Sequence, residues 1–220
     1  MCGWQLCSVV SSRKDDNDIS PLDDDGNNVY DMKTDLEAVW KGMEAQVDAG
    51  KAKNIGLSNF NSKQIERIVK GARIQPANLQ IEVQAYHMQK NLQEVCQKFG
   101  ISVCAFGPLG APYREVGTRE FPPLLEHPIV NKIAQSHNRT TAQVLLRHLV
   151  QHDIIVIPKS AKAEHVVQNF QILDLELSAE EMASMDSLDR GSDGRIFNML
   201  TTKGGIPEHP VAIPYTFLEI

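Results

Sequence analysis

The sequence predicts an α/β protein built on a parallel sheet, and three observations carry that expectation. Short apolar stretches alternate with amphipathic ones through most of the chain. The stretch Ile154 to Ile157 is continuously apolar, the pattern of a strand buried on both faces beneath covering helices. No G-x-G-x-x-G follows any strand and no P-loop pattern occurs, which weakens a doubly wound sheet relative to a β/α barrel.

The elements follow in order. Residues 1 to about 32 read as an irregular leader, because Pro21, Gly26, Asn27, Asn28 and a run of acids favour turns and no apolar period persists. Thr34 to Glu37 has capping-box spacing, and Leu36, Val39, Trp40, Met43 and Val47 share one helical face until Gly50. Asn54 to Ser58 is a short apolar strand, and Asn61 with Gln64 opens a helix through Ile65, Ile68 and Val69. The unit recurs as a strand from Leu79 to Val83 and a helix from Leu92 to Phe99, stopped by Gly100. A strand from Ile101 to Phe106 enters a Pro/Gly loop. A helix near Ile129 to Gln135, a second opened by Thr140 with Gln143, the strand Ile154 to Ile157 and a helix from about Ala163 complete four strands.

Composition narrows the functional classes. The 220 residues are 42% hydrophobic and 23% charged, enough for a real core. The net charge of −6 includes a cluster at Asp15, Asp16, Asp18, Asp23, Asp24 and Asp25 with no basic stripe, so nucleic acid is not an expected partner. No run approaches the ~18 apolar residues of a membrane span, and the first ten residues lack signal-peptide character. Cys2, Cys7, Cys96 and Cys104 show no paired spacing, which fits idle thiols in a reducing, cytoplasmic setting. His148 and His152 are spaced i, i+4, as metal pairs are. Without a nearby third ligand motif they read as surface or helix-end residues, and no metal is expected.

Particular motifs sharpen the reading. The segment Asn54 to Asn61 (NIGLSNFN) resembles the strand-five motif of the aldo-keto reductase family, and Ile157 to Ser160 (IPKS) resembles its strand-eight motif. Leu79 to Glu82 (LQIE) with Tyr86, and Phe106 to Gly110 (FGPLG), are similar to intervening family segments in order and approximate spacing. The resemblance runs from about Tyr30 to Tyr215, so residues 33–220 are expected to form the second half of a (β/α) TIM-type barrel, ending in a substrate-loop tail. It implies an oxidoreductase that takes NADP(H) and reduces a small-molecule carbonyl to an alcohol by hydride transfer. Strand ends converge on one mouth of such a barrel, so distant motifs share a ligand.

By that resemblance Ser58, Asn59 and Gln80 hold the nicotinamide carboxamide, and Phe106 stacks on the ring where the family more often has tyrosine. Backbone at Gly107 and Leu109 approaches the pyrophosphate. Lys159 and Ser160 meet the 2′-phosphate, and Asn169 matches an adenine contact. His165 stands where the family commonly has arginine and Gln168 where it often has glutamate, a departure that weakens phosphate selectivity.

The family's proton-donating tyrosine and its lysine, histidine and aspartate partners lie on the first half of the barrel, and no matching motif occurs before Tyr30. No catalytic residue is assigned, because Tyr30, Tyr86 and His87 stand outside the family's motif positions. A complete barrel takes ~250 residues and eight strands, so four strands leave two unpaired edges, and dimerisation, chaperone dependence or instability is expected. Two functions follow from this: part of a reductase completed elsewhere, or an inactive variant that binds nucleotide weakly or pairs with another chain.

Overall fold

We describe the protein from a computed structural model. Residues 4–8, 24, 35–112 and 121–197 are described. Most of the acidic leader, Tyr30, Thr34, residues 113–120 of the expected substrate loop and the tail beyond residue 197 lie outside that set. The chain divides into two compact units, and it passes from the first to the second within its third strand.

In the first unit, α1 (Leu36–Asp48) turns Leu36, Trp40 and Met43 inward. Its N-cap is Asp35, whose carboxylate accepts from the N–H groups of Glu37 and Ala38, one residue beyond the Thr34 box expected from the sequence. Two adjacent residues each offered a side-chain oxygen, and local pattern does not choose between them. Gly50 follows at φ 70°, the left-handed conformation that ends helices at little cost to glycine. Trp40 donates its indole N–H to the Ile74 carbonyl at 3.1 Å, so its buried ring leaves no orphan donor.

Strand β2 (Asn54–Ser58) leads into α2 (Ser62–Gly71), whose start is the reciprocal Asn61–Gln64 capping box expected from the sequence. Strand β3 (Asn78–Glu82) pairs in parallel with β2, matching Leu57 to Leu79 and Ser58 to Gln80. Gly56 makes this pairing possible, because a Cβ there would collide with the Asn78 side chain and its carbonyl. The unit's core is Ile55, Leu57, Phe60, Ile65 and Leu79, all fully buried. Helix α3 (Lys90–Lys98) buries Cys96, and burial pushes that thiol up to about 12.

One strand arises where the sequence suggested only irregular leader. Residues Trp4–Ser8 form β1, parallel to β2 and in register from Trp4 opposite Asn54 to Ser8 opposite Ser58. Five residues without a sustained pattern carry little strand signal of their own; the exposed edge of β2 supplies the ladder.

The second unit holds β4 (Ser102–Phe106) and β5 (Ile155–Val156), paired in parallel. Its helices are α4 (Pro128–Ser136), α5 (Thr141–Gln151), α6 (Ala163–Phe170) and α7 (Ala179–Asp186). Capping boxes open α5 at Thr140 and α7 at Ser178. The core gathers Val130, Val144, Leu145, Leu175, Leu177, Met185 and Leu188 with Ala85 and Tyr86. Two polar side chains tie the helices together. Gln143 donates to the carbonyls of Gln168 and Gln171 at 3.1 and 3.0 Å, and Gln151 exchanges bonds with Leu177.

The expectation that Ile154 to Ile157 is buried on both faces fails. Ile154 is buried, but Ile155 is 48% and Ile157 43% exposed. Continuous apolarity records a need for cover, and β5 is the last strand of the described sheet, with no strand paired beyond it. No described helix is long and apolar enough to cross a membrane.

Candidate functional site

The candidate site residues fall into the two units. In the first, Ser58 ends β2 and is nearly buried, and it stands opposite Gln80 in the ladder. Asn59 follows at φ 58°, a left-handed position that asparagine tolerates better than most residues, and its N–H donates to the Gln80 carbonyl at 3.0 Å. Strand register and one backbone bond thus bring Ser58, Asn59 and Gln80 together. Phe60, fully buried, and the Asn61 cap follow directly and fix the chain on its way into α2.

In the second unit, Phe106, Gly107, Leu109, Lys159, Ser160, His165, Gln168 and Asn169 all line one cavity of about 470 Å³. That is a usual size for a small-molecule site. Phe106 closes β4, and Gly107 turns the chain at φ 62°. Pro158 carries the chain from β5 to Lys159 and Ser160, and the Ser160 hydroxyl accepts from the Lys162 N–H at 3.1 Å. Helix α6 begins without a side-chain cap, so its first-turn N–H groups remain available as donors for an anion. The cavity therefore combines an ammonium, a hydroxyl, an imidazole, two carboxamides and an aromatic face.

Two contributors escaped the sequence reading. Phe197 lines the same cavity and meets Phe106 edge to face, with ring centroids 5.3 Å apart and planes at 81°. Its ring also closes over Gly107, where a Cβ would come within 2.8 Å of it. Glu82 explains why Phe197 sits there. Its carboxylate, 2% exposed, accepts the N–H groups of Ile196 and Phe197, each at 2.9 Å. Partners more than a hundred residues apart leave no local signal.

The nearest acid-base candidates are otherwise engaged. Tyr86 is buried and donates its hydroxyl to the Pro122 carbonyl at 2.8 Å. His87 bonds through Nδ1 to the Gly191 carbonyl at 2.7 Å. Burial first, and then the Arg195 charge, hold His87 below the ordinary histidine range, so it is neutral near pH 7.

Comparison with known proteins agrees with these motifs. The Aldo/keto reductase family model matches residues 27–190. The chain is 41% identical over 202 residues to aldo-keto reductase family 1 member A1 of Gallus gallus, covering 89% of this chain and 61% of that protein. Against the Homo sapiens protein of the same name the identity is 39%, with 89% and 62% covered. Among solved structures, the aldose reductase of Schistosoma japonicum superposes with a TM-score of 0.78 at 39% identity, over 94% of this chain and 64% of that one. A Bombyx mori aldo-keto reductase solved in complex with NADP gives 0.75 at 30% identity, over 89% and 59%. The chain spans about three fifths of the length of the curated relatives it matches. Its parallel strands and intervening helices are α/β of the TIM-barrel type. On these matches the chain belongs to the aldo/keto reductase family.

Proposed function

We propose that this chain is the nucleotide-binding portion of an NADP(H)-dependent oxidoreductase acting on small carbonyl compounds. The gathering of eight expected residues around one cavity carries the reading. The donor set fits the cofactor: Lys159 and Ser160 for the 2′-phosphate, Asn169 for adenine, and the backbone of Gly107 and Leu109 for the pyrophosphate. His165 and Gln168 stand at the phosphate end. Phe106 offers a face to the nicotinamide, and Ser58, Asn59 and Gln80 offer paired donors and acceptors to its carboxamide. When bound, the nicotinamide supplies hydride to a carbonyl carbon. This chain's part is to hold and orient it. No described residue is assigned the proton transfer, since Tyr86 and His87 are committed to backbone carbonyls. Alone the chain is expected to bind nucleotide without turnover.

Lys159→Ala tests the reading. Loss of one charged phosphate contact, about 1.5–3 kcal/mol, weakens NADPH binding roughly ten- to a hundredfold and leaves NADH nearly unchanged. Equal weakening of both nucleotides, or of neither, would count against the site.

A second reading is favoured by the flank of β5. Exposed Ile155, Val166, Phe170 and Leu173 line one groove beside β5, with Phe170 76% exposed. A surface of this kind beside an open strand edge suits pairing with a second copy of the chain. Sedimentation velocity decides it: a dimer is expected, and a monomer that unfolds cooperatively contradicts it. The buried free thiols Cys96 and Cys104 suit a reducing compartment, and we place the protein in the cytoplasm on that ground.

A further inference from the structure

Helices α5 and α7 carry a cluster that the nucleotide site does not use. His148 and His152 stand one turn apart on α5, and Asp186 is the last residue of α7. Their i, i+4 spacing lacks a third ligand in the sequence, and the fold supplies one. Nε2 of His148 lies 2.7 Å, and Nε2 of His152 2.8 Å, from the same Oδ1 of Asp186. One potential ligand atom from each of the three residues lies within 4.8 Å of the others.

We propose that His148 Nε2, His152 Nε2 and the Asp186 carboxylate form a binding site for a first-row divalent transition metal, zinc in the first instance, that pins α5 to α7. Two imidazoles and one carboxylate form a borderline donor set that suits zinc, whereas calcium and magnesium require more oxygen ligands. The anchor is preorganised, because the His148 side chain is fully buried. His152 and Asp186 are 30% and 32% exposed, so an ion has a route in and a fourth position opens to water.

His148 Nδ1 is buried and has no hydrogen-bond partner. Moving the ring proton from Nε2 to Nδ1 as the metal binds leaves Nδ1 unpaired as before, now as a donor, and breaks the bond from Nε2 to Asp186. Tetrahedral zinc with bonds of ~2.0–2.1 Å separates its ligand atoms by ~3.3 Å, so Asp186 must withdraw by about half an ångström. Its half-exposed place at the end of α7 permits that.

Titration of the whole chain with Co²⁺, followed by displacement with Zn²⁺, tests the site. One equivalent of Co²⁺ should give visible ligand-field bands without a thiolate charge-transfer band, and Zn²⁺ should abolish them and raise the thermal midpoint. His152→Gln keeps a donor toward Asp186 but loses a ligand, and Asp186→Asn removes the charge. Each should weaken Co²⁺ binding at least about tenfold, no less than the loss of an outer-shell partner costs, and cancel the Zn²⁺ stabilisation. Absence of bands in the wild-type chain, or bands unchanged in both variants, would overturn the proposal and leave the triad as a hydrogen-bonded clamp.

Discussion

Replacement of Glu82 by glutamine probes how the cavity's aromatic wall is held. Both carboxylate oxygens accept a backbone N–H at 2.9 Å, from Ile196 and from Phe197, at a site almost without solvent. Glutamine keeps the volume and one acceptor but turns an NH₂ toward the other N–H. One charge-assisted bond is lost and one buried donor is stranded, which together cost about 2–3 kcal/mol. For a domain of this size the thermal midpoint should fall by roughly 4–12 °C. NADPH binding should weaken as well, because the segment that sets Phe197 against Phe106 has lost half its tether. Thermal unfolding followed by circular dichroism reads the first effect and a fluorescence titration the second. Phe197→Ala is the control: it removes the ring but leaves the tether, so it should lower affinity with a smaller change in midpoint. A Glu82→Gln protein that melts within about a degree of wild type would refute this account.

Three further outcomes are expected. His87 is held below its ordinary range, so the unfolded chain binds a proton more readily. Stability should fall as the pH drops below about 6.5, and His87→Phe should flatten that slope in unfolding midpoints measured between pH 8 and pH 5. Cys96, buried and pushed up to about 12, should resist iodoacetamide in the folded protein at pH 8 and react only after denaturation, as peptide mapping by mass spectrometry would show. His165→Arg should tighten NADPH binding about tenfold or more by adding a permanently charged phosphate contact, and equal gains for NADPH and NADH would contradict its assignment.

Much of the fold was legible where local chemistry dictates it. The Asn61–Gln64 and Thr140–Gln143 boxes mark helix starts, because a side chain and a backbone N–H three residues apart satisfy each other without outside help. Strand β1 was not legible, since it exists through pairing with β2. The exposure of Ile155 and Ile157 is not legible in the sequence either, because cover comes from other elements and cannot be read from the run itself. At the site, short motifs such as IPKS carried Lys159 and Ser160 into the cavity together. Glu82 with Phe197, and Asp186 with the α5 histidines, meet only after long stretches of chain have folded, and no spacing rule reaches that far.

The central claim is that the folded chain presents a phosphate-selective nucleotide site. Parallel titrations of the unmodified chain with NADPH and NADH, followed by nicotinamide fluorescence, test it most directly. The account predicts saturable binding of both with NADPH the tighter; equal affinities, or no binding of either, would contradict it.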